Sequence, residues 1–176
     1  KPFPSMPIYF WNDDNGKKYF NAYFSRFSDV WTHGDYISIN DRGGVKIHGR
    51  SDTTLNPGGV RIGTSEIYKV VEKISGIQDS VAVGFNIDSD EKILLFIKAE
   101  KKLDDDFSKD IKNKLKIHCS PRHVPYKIFQ VKDIPYTLNG KKVEIAVKNI
   151  INNEEVLNIS ALINPESLKY FENLSI

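Results

Sequence analysis

Three short segments hold the side chains best suited to chemistry. The first is His33-Gly34-Asp35. A carboxylate at the entrance to a strand can accept hydrogen bonds from a pair of sugar hydroxyls, and the same tripeptide equally makes a turn capped by its aspartate. The second segment runs over 49–68, Gly-Arg-Ser-Asp-Thr-Thr-Leu-Asn-Pro-Gly-Gly-Val-Arg-Ile-Gly-Thr-Ser-Glu-Ile-Tyr. Its glycines let backbone approach a ligand closely, and Arg50 and Arg61 suit phosphate or a planar group. The alternative is a long flexible loop of solvated charges, although such loops inside a compact domain are usually functional or disordered. The third is Pro135-Tyr136-Thr137-Leu138-Asn139-Gly140-Lys141-Lys142. A lysine after a glycine turn, at a helix start, places a point charge where it can reach a phosphoryl or acyl oxygen. The alternative is a solvated lysine flanking the helix.

Other residues offer less. His33, His48, His118 and His123 show no metal-ligand spacing with Cys119, so no metal is expected. Lys109, Lys112, Lys114 and Lys116 share one helix side, which reads as a solvated face, with phosphate binding as the alternative. There is no phosphate loop of the Gly-Lys-Ser/Thr kind and no nucleophile elbow. The net charge of +2, from 25 basic and 23 acidic residues, argues against nucleic-acid binding as the main theme. One cysteine rules out an internal disulfide and points to a reducing, cytoplasmic compartment. No apolar run of about 18 residues predicts a membrane span. The first residue is Lys1 and no apolar leader follows, so the 176-residue chain reads as a piece cut from a longer polypeptide.

The elements that position these segments follow from pattern. Pro2, Pro4 and Pro7 break up an aromatic start, and Tyr19, Phe20, Tyr23, Phe24 and Phe27 have the spacing of a short amphipathic helix whose apolar surface needs a partner. Residues 36–40 and 45–48 alternate as half-buried strands around the turn Asp41-Arg42-Gly43-Gly44. Thr64 or Ser65 is placed to cap a helix running to about 74, with Ile67, Val70, Val71 and Ile74 on one face. Strands are expected at 80–85, 92–99 and 127–131, and helices at 104–118, 142–152 and 165–174. The order predicts an α+β fold, a β-hairpin followed by a small mixed sheet packed by helices.

Taken together and in this order, the Gly-Asp, Gly-Arg-Ser-Asp, Gly-Gly-Val-Arg-Ile-Gly-Thr-Ser-Glu-Ile and Asn-Gly-Lys runs resemble the C-terminal part of the acyl-adenylate-forming superfamily of acyl-CoA synthetases, adenylation domains and luciferases. Ser120-Pro121-Arg122-His123-Val124-Pro125 and the run 134–144 are most similar to its acetoacetate-activating branch. The resemblance implies an acid–CoA ligase that uses ATP, with Mg2+, and CoA as co-substrate, in two steps through an acyl-adenylate. By matching positions it makes Asp35 and Arg50 ribose contacts, Arg61 a nucleotide contact, and Asp52 a hinge. Gly58 and Gly59 would border the pantetheine channel, and Lys116 would match a CoA-phosphate contact. Lys141 would be the lysine that steadies charge during adenylation, arriving only for that step. It also implies that 1–51 is the tail of a large N-terminal domain, 52–153 a mobile C-terminal domain and 154–176 an extension. The chain departs from the pattern in having His33 where the superfamily usually has threonine, and in doubling the lysine after Gly140. The phosphate loop and the acyl pocket would belong to the N-terminal domain, so the chain alone is expected to be inactive. The competing expectation is a free-standing CoA- or nucleotide-binding regulatory module.

Overall fold

The computed structural model describes residues 4–88 and 90–176; Lys1 and Pro2, on which part of the sequence reading rests, lie outside the described residues. The chain divides between Gly34 and Asp35 into two compact units.

In the first unit the expected amphipathic helix is α1 (Lys17–Tyr23). The Asp13 carboxylate accepts from the backbone N–H groups of Lys18 and Tyr19, both at 2.8 Å, which satisfies donors that a helix start leaves open. The aromatics partly provide one another's cover. Tyr19 meets the rings of Phe10 and Tyr23 edge-on at 5.5 and 5.3 Å, and Tyr23 lies 5.5 Å from Trp31. Ile8, Trp11, Phe20 and Phe27 stay exposed.

The second unit begins with an antiparallel hairpin, β1 (Asp35–Ile39) and β2 (Val45–Arg50). The Asn40 side chain organises its turn, accepting from Arg42 N at 3.0 Å and Gly44 N at 2.8 Å. Register sets Ile37 across from Ile47 and Ile39 across from Val45, so four apolar side chains share one face. Half-burial was expected for this face, yet all four are exposed. Among the described residues the hairpin pairs only with itself, and no other strand joins its sheet.

The core is a three-stranded sheet, β3 (Ile77–Ile87) antiparallel to β4 (Asp90–Ala99), with β5 (Lys127–Gln130) parallel to β4. The first two strands run longer than the sequence suggests, because pairing continues through their polar ends from Ile77↔Ala99 to Ile87↔Asp90. On one face, Ala82, Ile93, Leu95 and Ile97 pack against α2 (Thr64–Val71) and α3 (Asp105–His118) through Ile67, Val71, Phe107, Ile111 and Leu115. On the other, Val81, Val83, Leu94 and Phe96 meet Val147 and Ile151 of α4 (Glu144–Ile151). There Phe96 stacks on Phe129 at 5.2 Å and meets Phe171 edge-on at 5.0 Å. Phe171 ends a 3-10 helix, Pro165–Phe171, where a longer helix to 174 was expected.

Capping divides the same way. Asp104, expected within the helix, instead caps α3, its carboxylate accepting from Phe107 N at 2.8 Å. The cap of α2 is Gly63 rather than Thr64 or Ser65. Both hydroxyls are used elsewhere: Thr64 donates to Glu144 at 3.2 Å and Ser65 to the His48 carbonyl at 2.9 Å.

Candidate functional site

The first cluster lies where the hairpin closes. Arg50, the last residue of β2, sits across from Asp35, the first of β1. Its guanidinium spans two carboxylates. Nε and Nη2 donate to Asp52 at 3.3 and 3.2 Å, and Nη1 lies 3.8 Å from Asp35 Oδ1. Three residues singled out from sequence therefore share one ionic group at the point where the chain leaves the hairpin. Thr54 steadies that exit, its hydroxyl donating to the Arg50 carbonyl at 2.7 Å.

The glycine-rich segment is a tied loop rather than a flexible one. Leu55 and Ile62 are fully buried and bridge each other through backbone bonds of 2.9 and 2.8 Å. Between them Pro57–Gly59 makes one 3-10 turn, and Gly58 N donates to Asp90 Oδ1 at 2.8 Å. The Lys92 ammonium, and then the Gly58 N–H, hold the Asp90 carboxyl below its ordinary range. Gly58 has φ +56°, and a Cβ there would lie 1.9 Å from Arg122 Nη1. Gly59, at φ +79°, faces open space, and Arg61 is exposed. Lys116 is exposed on the last turn of α3.

The third cluster separates the two adjacent lysines. Thr137 and Gly140 close a turn, with Gly140 N donating to the Thr137 carbonyl at 2.8 Å and Gly140 at φ +71°. Lys141 N donates to the Thr137 hydroxyl at 3.1 Å, and its side chain is exposed. Lys142 points inward. Its ammonium lies 2.8 Å from Asp79 Oδ1, donates to the Ser80 carbonyl at 2.7 Å, pairs with Glu72 and sits 4.2 Å above the Tyr68 ring. Tyr136 completes the group, donating to Asp79 Oδ2 at 2.8 Å. Burial first, and then the Asp79 carboxylate, push the Tyr136 hydroxyl well above the ordinary tyrosine range. Of the two lysines after Gly140, only Lys141 presents its charge to solvent.

Sequence reasoning missed two further arrangements. Glu66 lies between two nearly buried histidines, 3.5 Å from His48 Nδ1 and 3.5 Å from His123 Nε2. Arg122 lies on the backbone of Gly58. Both join positions far apart in the chain, and local pattern carries no signal for either. Among the described residues no group of three or more His, Cys, Asp or Glu is arranged to hold a metal ion. Among the described residues no helix is long and apolar enough to cross a membrane.

No family model matches the chain. Acetoacetyl-CoA synthetase of Xenopus tropicalis is 50% identical over 180 residues, which covers 99% of this chain and 26% of that protein. The chain is similar along nearly its whole length to acetoacetyl-CoA synthetases. The enzyme of that name from Rhizobium meliloti (strain 1021) is 47% identical over 99% of this chain and 27% of its own length. The solved acetoacetyl-CoA synthetase of Streptomyces lividans superposes with a TM-score of 0.88 at 39% identity, covering 97% of this chain and 26% of that one. The chain thus spans about a quarter of the length of these acetoacetyl-CoA synthetases, and the matched quarter is their C-terminal part. The adenylate-forming fold and the superfamily resemblance read from the motif series are both borne out.

Proposed function

We propose that this chain is the C-terminal part of an ATP-dependent acid–CoA ligase that converts acetoacetate, ATP and CoA to acetoacetyl-CoA, AMP and pyrophosphate. The observation that carries this reading is identity near one half to acetoacetyl-CoA synthetases across 99% of the chain. In the first step an acetoacetate oxygen attacks the α-phosphorus of ATP, the bond to the β-phosphate breaks, and pyrophosphate leaves. In the second the CoA thiol gives up its proton, sulfur attacks the acyl carbon, and AMP leaves. ATP would bring Mg2+ with it, and a cytoplasmic setting suits these substrates.

The chain's own residues divide between the steps. Asp35 and Arg50 hold the ribose hydroxyls, and Arg61 contacts the nucleotide. Asp52 is the hinge between 1–51, the edge of an N-terminal domain, and 52–153, which swings; 154–176 closes the far face of the sheet. Lys141 brings a mobile cation to the developing charge of adenylation, where a positioned charge lowers the barrier most. Gly58 and Gly59 border the pantetheine arm in the thioester step, and Lys116 meets a CoA phosphate. The pairing of Arg50 with Asp52 gives this division a physical basis, because a ribose contact at Arg50 and hinge rotation at Asp52 then draw on the same ion pair.

The test is substrate-dependent exchange of labelled pyrophosphate into ATP, together with thioester formation, by the complete polypeptide. Acetoacetate should support both, well above acetate and butyrate. Neither reaction with acetoacetate, together with saturable CoA binding by the isolated chain, would replace this reading with that of a binding module.

A further inference from the structure

The turn that carries Lys141 is fastened at both ends to one carboxylate. Tyr136, where the turn begins, donates its hydroxyl to Asp79 Oδ2 at 2.8 Å. Lys142, where it ends, brings its ammonium to Asp79 Oδ1 at 2.8 Å. The two residues also bridge each other through their backbones, so the turn is closed at its base. Within it Thr137 N donates to the Lys141 carbonyl at 2.9 Å, and Lys141 N donates to the Thr137 hydroxyl at 3.1 Å. The Lys141 backbone is thus bonded on both sides while its side chain stays exposed. The Lys142 side chain is held as firmly. Asp79, Glu72 and the Ser80 carbonyl offer three oxygens to its three N–H donors, and the Tyr68 ring lies 4.2 Å away. These partners are themselves fixed. Asp79 and Ser80 belong to β3, which is paired along its length with β4. The Ser80 hydroxyl donates to Glu72 at 3.0 Å, and the Tyr68 hydroxyl donates to Glu144 at 3.0 Å and accepts from Ala82 N at 3.1 Å. A cation seated this way, one residue after an exposed lysine, sets where that lysine starts from. Misplacing a reacting group by about 1 Å can cost roughly 10²-fold in rate, so the stiffness of the base governs how well the charge at the tip works.

We propose that Lys142 is a positioning residue for adenylation: by gripping Asp79 opposite Tyr136 it fixes the base of the turn and so holds the Lys141 ammonium where the first step needs it. This rests on the acid–CoA ligase reading above and on the part Lys141 has in it. Lys142 touches neither substrate nor reacting atoms, and acts only through Lys141. The thioester step, in which Lys141 has no part, is therefore independent of it.

The experiment uses the complete polypeptide, with Lys142→Met and Lys142→Arg, each made alone and with Lys141→Ala. Two rates are measured: acetoacetate-dependent pyrophosphate exchange into ATP, and thioester formation from supplied acetoacetyl-AMP and CoA. Lys142→Met should lower exchange at saturating substrates by roughly tenfold to 10²-fold. KM for ATP should not move, and thioester formation should stay within about twofold of wild type, which also shows that the variant is folded. Lys142→Arg keeps a cation beside both carboxylates and should lose less. In the Lys141→Ala background, Lys142→Met should change exchange by less than about twofold, because the residue through which it acts is gone. Exchange left intact by Lys142→Met, an equal fall in both half-reactions, or a full further loss in the Lys141→Ala background overturns the proposal. Should Lys142→Met fail to fold, Asp79→Asn, which removes the charge that Lys142 grips at nearly constant volume, decides by the same criteria. A Lys141→Ala protein with undiminished exchange overturns the role of Lys141 and this proposal with it. A wild-type protein with no acetoacetate-dependent exchange overturns the ligase reading itself.

Discussion

The Lys142 ammonium lies 2.8 Å from the Asp79 carboxylate, and with that pairing Lys142 is held inside the fold while its neighbour Lys141 is left at the exposed tip. Adjacent residues of one type are thereby given different work. Lys142 anchors the base of the turn to β3, and Lys141 is carried on it.

Substitution should show this division as stability. Lys142→Ala leaves half-buried Asp79 and exposed Glu72 without their shared cation, which should cost about 1–2 kcal/mol in urea unfolding of the chain. Lys141→Ala removes an exposed side chain and should stay within about 0.5 kcal/mol of wild type. Equal effects would show that the two lysines are not distinguished as described.

Gly58 and Arg122 should be energetically coupled. Gly58→Ala imposes a side chain at φ +56° and pushes the Arg122 guanidinium aside, so it should destabilise by about 1–3 kcal/mol. Arg122→Ala alone should be nearly neutral for folding. In the double variant, the cost of Gly58→Ala should fall by roughly 0.5–1 kcal/mol, while the strain of positive φ persists. Strict additivity in a denaturation cycle would contradict the contact.

Much of the fold was legible because its decisive contacts follow local periodicity. The alternation of Val81, Val83, Leu94 and Phe96 and the helical stripe Ile67, Val71 and Ile74 announce the sheet and the helix that covers it. The doubled lysine was not resolvable from sequence, since its partners Glu72, Asp79 and Ser80 lie some sixty to seventy positions upstream. The Arg122 contact was hidden for the same reason. The exposed face of Ile37, Ile39, Val45 and Ile47 shows the converse limit, since alternation specifies a face but not what covers it. At the site, Asp35, Arg50 and Asp52 were each named separately, and only the structure shows that they share one ionic group.

Acid should weaken the fold through Asp133. Burial tends to raise this carboxyl, but bonds from Lys98 at 2.8 Å and Asn164 at 2.6 Å outweigh it and hold it below the ordinary carboxylate range. A carboxyl lowered on folding contributes stability above its unfolded value and loses it as pH falls through the folded one. Wild type should therefore exceed Asp133→Asn in stability by a constant margin from pH 7 to about pH 5. That margin should shrink below about pH 4. A margin that grows on acidification would contradict the assignment.

In the proposed function Lys141 serves adenylation alone. The most direct measurement compares two half-reactions in the complete polypeptide carrying Lys141→Ala: acetoacetate-dependent pyrophosphate exchange, and thioester formation from supplied acetoacetyl-AMP and CoA. Exchange should fall by about 10²-fold or more, as expected for removing one positioned charge from a transition state. Thioester formation should stay within a few-fold of wild type. Equal loss of both, or exchange left intact, would contradict that role for Lys141.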